Sequence, residues 1–216
     1  VCIITGAASG MGRIAARELA KLGATLVLND REKAEGEAAR DEIVALSGNQ
    51  RVEFVYCDMI DRKQVAAFAQ HVLDSYGRVD VLINNAGLTN PEFFSSIEGQ
   101  EQHMEIMHLG HWQLTETLLP CLRASAPSRV IQISSDAHRA GPGIDFADMA
   151  CSKIWKGKRY ANTGAFQAYH RAKLAMVYAT YAWAEQVPAE EVTFNAVSPG
   201  YFVVTNGFRH ARRCLK

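Results

Sequence analysis

Val1-Cys2-Ile3-Ile4-Thr5-Gly6-Ala7-Ala8-Ser9-Gly10-Met11-Gly12 opens the chain, and its reading decides the architecture. An apolar strand, Val1 to Thr5, runs directly into a glycine-rich turn, and a helical pattern through Ile14, Leu19 and Leu22 follows. Strand, glycine turn and helix in that order open a βαβ unit. Glycines in such a turn let the backbone approach a pyrophosphate, while the helix N-terminus offers amide donors and a partial positive charge. Three residues, not one, separate the first two glycines, so the spacing departs from GxGxxG. By itself a glycine-rich turn is weak evidence, and an ordinary tight turn is the alternative reading.

Outward from that turn the unit repeats. A second strand (Ala24 to Asn29) precedes a charged helix (Glu32 to Leu46), then a third strand (Val52 to Cys57) and a helix (Lys63 to Tyr76). A fourth strand (Val79 to Asn84) leads through a loop containing Pro91 to a long helix (Gln100 to Arg123) and a fifth strand (Arg129 to Ser134). Asp136 to Gly164 is polar, glycine-bearing and without period; Phe166 to Gln186 reads as a helix and Val192 to Val197 as the sixth strand. Repeated alternation predicts a parallel sheet with helices on both faces, in one domain covering residues 1–216.

Composition narrows the function classes. The 216 residues are 48% hydrophobic, and 23 basic side chains balance 23 acidic ones. A balanced charge gives no field to hold nucleic acid or an anionic membrane surface. No run of about 20 apolar residues is present to span a bilayer. Cysteines at 2, 57, 121, 151 and 214 form no CxxC pair, which favours reduced thiols and an intracellular, cytoplasmic protein; Val1 starts inside a strand, so an upstream anchor or targeting segment stays open.

Three further signals carry chemistry. Asp30 closes the second strand 18 residues after Gly12, where a carboxylate can accept hydrogen bonds from ribose hydroxyls. Tyr169 and Lys173 stand four apart on a predicted helix, hence on one face. A phenol titrates near about 10, and a neighbouring ammonium favours the phenolate, so such a Tyr can exchange protons with a hydroxyl or carbonyl. Ser134-Ser135 ends the fifth strand, where alternation would let only one of the two meet the helix.

Together these residues resemble the short-chain dehydrogenase/reductase family over nearly the whole chain. TGxxxGxG is met by Thr5, Gly6, Gly10 and Gly12, NNAG by Asn84 to Gly87, and YxxxK by Tyr169 and Lys173; Pro199-Gly200 follows the sixth strand. His108-Leu109-Gly110-His111, Ala126-Pro127-Ser128-Arg129 and the long segment between Ser135 and Tyr169 resemble the retinol dehydrogenase and WW-domain oxidoreductase branch. The resemblance implies a Rossmann-type doubly wound sheet of strand order 3-2-1-4-5-6 and NAD(P)-dependent interconversion of an alcohol and a ketone or aldehyde, on a small to medium lipophilic substrate. It implies a homodimer or homotetramer.

It also implies residue roles. Tyr169 is the general acid or base, Lys173 lowers its pKa and binds the nicotinamide ribose, and Ser135 holds the substrate oxygen. Gly6, Ser9, Gly10, Met11 and Gly12 line the pyrophosphate, Asp58 and Met59 flank the adenine, Asn85, Ala86 and Gly87 carry the middle of the cofactor, and Pro199 and Gly200 border the nicotinamide. Asp30 repels a 2′-phosphate and favours NAD over NADP, whereas Arg31 can grip that phosphate.

The sequence departs from the family in two ways. Met107 stands where relatives carry an asparagine that supports a proton-relay water, and a thioether lacks the amide's donor and acceptor. His108 or His111 could rebuild that relay, or catalysis could be weak and the chain a dinucleotide-binding sensor or scaffold. The chain ends shortly after Pro199-Gly200, with Val204 and Thr205 displacing the usual threonine by one step, so the seventh strand and substrate lid are expected to be missing, divergent or outside this stretch. His108 and His111 lack a third ligand at metal spacing, which argues against a metal. Trp155 to Arg159 reads as solvated basic surface, and Ala175 to Trp183 as core or a helix-packing interface.

Overall fold

The computed structural model describes residues 1–90, 92–141, 143–153, 155 and 164–200. Its strands are β1 (Cys2–Thr5), β2 (Leu26–Asp30), β3 (Val52–Tyr56), β4 (Val81–Asn84), β5 (Ser128–Ile133) and β6 (Val192–Val197). They form one parallel sheet in the order β3-β2-β1-β4-β5-β6, the order the family resemblance implies. Cys2 lies opposite Leu26 on one side and Val81 on the other, so β1 is central and buried on both faces.

Alternation along the strands divides the core in two. Ile3 and Val27 face α3 (Arg62–Tyr76), α5 (Gly110–Ala124) and α6 (Gly164–Gln186), where Phe68, Leu114, Leu118 and Met176 pack against them. Cys2, Ile4, Leu26 and Leu28 face α1 (Gly10–Lys21) and α2 (Lys33–Ser47), meeting Ala16, Ala20 and Ile43. Strands buried on both faces read as continuous apolar runs, which is why β1 and β2 are legible without a polar alternation.

The differences from the sequence reading have local causes. β4 starts at Val81 rather than Val79, because the Val79 N–H donates to Ser125 Oγ at 3.1 Å instead of joining the ladder. The long helix starts at Gln102: Glu101 caps it, its carboxylate accepting the N–H groups of His103 and Met104. That helix is also interrupted, since α4 (Gln102–Met104) leads into a π-helical turn, Glu105–Leu109, before α5. A short 3₁₀ turn, Asp136–Arg139, lies in the segment read as patternless.

Candidate active site

The nucleotide turn is shaped by close approach. Gly6 has φ +66°, and a Cβ there would stand 2.7 Å from the Cα of Ala86. Gly12 sits behind the turn, where a Cβ would press on the Gly6 carbonyl and lie 2.6 Å from Asn85 Nδ2. Side chains at either place would part the turns that end β1 and β4. Ser9 begins α1 with no side-chain capping bond, and the first turn of α1 carries no acidic residue. The first amides of a helix have no internal partner, so this end is suited to an anion.

A cleft of about 420 Å³ opens above that turn, a volume ordinary for a small-molecule site. Its lining includes Gly6, Ser9, Gly10, Met11, Asp30, Arg31, Asp58, Met59, Asn85, Ala86 and Gly87. Gly12, Tyr169, Lys173, Pro199 and Gly200 are not part of that lining. Leu88 and Ile106 are, although no motif pointed to them; their only sequence signal was proximity to NNAG and the apolar face of the long helix.

At one end of the cleft the Asp30 carboxylate accepts the Ala8 N–H through Oδ2 at 3.0 Å and the Glu32 N–H through Oδ1 at 3.2 Å. A carboxylate offers about four lone-pair sites, so both oxygens keep acceptor capacity for hydroxyls. Arg31 is exposed beside it, 3.5 Å from the Glu32 carboxylate. Asp58 is held by its own segment: its N–H donates to Gln64 Oε1 at 2.9 Å and its carboxylate accepts the Ile60 N–H at 3.1 Å.

Beyond Gly87, β5 and α6 bring Ser135, Tyr169 and Lys173 together. Both serines of the pair reach α6, because the chain leaves the pleat after Ile133: Ser134 Oγ donates to the Lys173 carbonyl at 3.0 Å, and the Ser135 hydroxyl, which accepts the Ala137 N–H at 3.2 Å, stands near enough to Tyr169 to lower its pKa. The expectation that only one would meet the helix is corrected accordingly. Burial raises the Tyr169 pKa above its ordinary value, and the nearby Ser135 hydroxyl offsets part of that. Lys173 is buried, and burial lowers its ammonium to about 7. Its Nζ donates to the Ile133 carbonyl at 2.6 Å, lies 3.7 Å from Met176 Sδ, and stands 5.7 Å from the centre of the Tyr169 ring.

Met107 is completely buried, and its sulfur, like Lys173 Nζ, borders Gly87. The two histidines near it differ in what their rings meet. Burial pushes His108 down to about 4, and its ring lies against Trp112. His111 is pushed down to about 3 by burial, and both ring nitrogens are engaged, Nε2 with Thr5 Oγ1 and Nδ1 with the Met107 carbonyl. Trp155, read as part of a solvated patch, instead packs on His103 at 6.2 Å and edge-on to Phe93 at 5.6 Å. Lys156 to Arg159, Val204 and Thr205 lie outside the described residues. Among the described residues there is no cluster of three or more metal-ligating side chains, and no helix is long and apolar enough to cross a membrane.

Comparison with known proteins agrees with this geometry. Residues 1–154 match the family described as short chain dehydrogenase. Human retinol dehydrogenase 13 is 39% identical over 198 residues, covering 92% of this chain and 57% of the relative. Retinol dehydrogenase 12 of Bos taurus is 40% identical over 200 residues, 93% of this chain and 60% of the relative. The chain thus spans less than two thirds of the length of these relatives. A metagenomic short-chain oxidoreductase solved in complex with NADP superposes with a TM-score of 0.71 at 28% identity, over 92% of this chain and 81% of that one. Alike to these proteins across most of its length, the chain belongs to the short-chain dehydrogenase family, in its retinol dehydrogenase branch.

Proposed function

We propose that the chain catalyses the interconversion of an alcohol and a carbonyl with a nicotinamide dinucleotide, using Ser135, Tyr169 and Lys173. The observation that carries this reading is Lys173, whose Nζ borders Gly87 of the cleft wall and stands 5.7 Å from the centre of the Tyr169 ring. The bound dinucleotide supplies or takes up the hydride. Tyr169 gives its hydroxyl proton to the carbonyl oxygen in reduction and takes the alcohol proton in oxidation. Ser135 steadies that oxygen with its own hydroxyl. Lys173, given ribose hydroxyls as acceptors beside the single carbonyl of Ile133, holds its proton more firmly, and the ammonium then favours the Tyr169 phenolate.

NAD is favoured over NADP, because Asp30 presents free acceptor sites to ribose hydroxyls and opposes a phosphate there. The substrate is a small to medium lipophilic alcohol or carbonyl compound. Support comes from the relatives named as retinol dehydrogenases and from exposed Phe93, Phe94 and Ile97 on the loop that follows the cleft. A sensor or scaffold role is the second reading, favoured by one observation, the thioether of Met107 against Gly87, which Lys173 also borders.

The test is a titration with NADH and NADPH followed by nicotinamide fluorescence, joined to a carbonyl screen with the wild type and Tyr169→Phe. The proposed enzyme binds NADH at micromolar concentration, and Tyr169→Phe keeps that binding while losing turnover by a factor of at least about 100. Equal turnover in the two proteins removes Tyr169 from the chemistry. Cofactor binding with no turnover on any carbonyl favours the scaffold.

A further inference from the structure

Thr5 and His111 are both buried, 106 residues apart in sequence, and they meet behind the cleft. Thr5 Oγ1 accepts the N–H of Asn85 at 2.9 Å and the N–H of Ala86 at 2.9 Å. A hydroxyl has two lone pairs and one proton. With both lone pairs taken by amides, the third contact of Thr5 Oγ1, 2.8 Å to His111 Nε2, is a donation from the hydroxyl, and Nε2 is bare. The ring proton is therefore on Nδ1, which donates to the Met107 carbonyl at 2.9 Å. Burial keeps the ring neutral, lowering it to about 3.

Each end of this chain of bonds does something for the cleft. Asn85 closes the other side of the junction, its Nδ2 donating to the carbonyls of Thr5 at 2.8 Å and Gly6 at 3.0 Å. Gly6, Asn85 and Ala86 line the cleft, whereas Thr5 and His111 do not. Without an acceptor at Nε2 the Thr5 proton has no buried partner and competes for the position of one of the two amides, which loosens the turn after β1 from the turn after β4.

We propose that His111 is a positioning residue of the dinucleotide site: its bare Nε2 takes the Thr5 hydroxyl proton, aims both Thr5 lone pairs at Asn85 and Ala86, and so fixes the two cofactor-facing turns against one another. This rests on the dinucleotide reading of the cleft. It also gives the second histidine of His108-Leu109-Gly110-His111 a use that is neither metal ligation nor proton relay.

Two measurements test it. Imidazole ¹⁵N spectra of the wild type at pH 7, with the His111 signals assigned through their loss in His111→Gln, should show a pyridine-type Nε2 and a pyrrole-type Nδ1. NADH titrations of wild type, His111→Leu, Thr5→Val, the double variant and Thr5→Ser follow. Expected is roughly a tenfold weaker Kd for each of the first two variants, no further loss in the double variant, and a near wild-type Kd for Thr5→Ser. An Nε2–H tautomer in the wild type overturns the inference whatever the variants do, and so does an unchanged Kd in His111→Leu or additive losses in the double variant. If folded wild type binds neither NADH nor NADPH, the dehydrogenase reading fails, and the inference falls with the site it concerns.

Discussion

Met107 places a buried thioether against Gly87, which Lys173 Nζ also borders, where a carboxamide would bring a donor and an acceptor. The side of Gly87 that Lys173 Nζ borders thus carries sulfur instead of an amide, and burial keeps the two nearby histidines neutral, with both nitrogens of His111 engaged. Met107→Asn is expected to raise kcat several-fold at saturating substrate while leaving the NADH Kd unchanged; an unchanged kcat would mean that proton escape does not limit turnover. Lys173 makes a separate prediction about stability. Burial lowers its ammonium from 10.5 to about 7 in the folded chain, so the unfolded chain binds more protons between those values. Its contribution to stability therefore rises as pH climbs from about 7 towards 10.5 and is lost as pH falls back through about 7. Urea midpoints measured from pH 7 to 9.5 should rise, and Lys173→Met should flatten that slope; an identical slope in the variant would assign the titration to another group. Tyr169, Lys173 and Asp30 could be picked out in the sequence because residue type and spacing announce them. The Thr5 to His111 bond could not, since nothing local links residues 106 apart.

Elements place these side chains, and their ends matter more than their middles. Asp61 caps α3, accepting the N–H groups of Lys63 at 2.9 Å and Gln64 at 3.3 Å, and holds the Gln64 amide at 3.0 Å. Gln64 in turn accepts the Asp58 N–H, so the cap also orders the pair Asp58 and Met59 on the cleft wall. Asp61→Ala is expected to lower unfolding stability by about 1 kcal/mol, the usual worth of such a cap, and to weaken NADH binding slightly; a denaturation midpoint equal to wild type would show that solvent replaces the cap. The Asp61 pKa is net lowered, the donated amide bonds outweighing a desolvation that acts to raise it. Protonation at low pH therefore weakens the cap, without removing it as Ala does, because the protonated carboxyl keeps an acceptor oxygen. Strand and helix order was legible from apolar runs and glycine turns, with ends misplaced by a residue or two. The π-helical turn at Glu105–Leu109 was not, because it adds one residue to a turn and leaves the apolar face of the long helix continuous in sequence.

At the scale of the molecule, the sheet order sets where a ligand can sit. The chain runs outward from β1 through β2 to β3, then crosses to β4 on the other side of β1, so the connections after β1 and β4 part and leave a crevice at the carboxyl ends of these strands. The cleft is in that crevice, joining residues that follow β1, β2, β3 and β4 in one wall. A ligand bound there contacts four segments that are adjacent only in the folded chain, and binding to the folded state alone must raise the melting temperature. At one hundred times its Kd, NADH should add about 2.7 kcal/mol, and a domain of this size gains about 2–4 °C per kcal/mol, so a rise of roughly 5–10 °C is expected by calorimetry. NADPH at the same concentration should give a smaller rise, because the Asp30 carboxylate, fixed by two backbone amides, cannot swing away from a 2′-phosphate without giving up both bonds. Asp30→Ala should narrow the difference between the two cofactors. A larger rise with NADPH in the wild type would place cofactor choice with Arg31, whose exposed guanidinium is free to leave Glu32 for the phosphate.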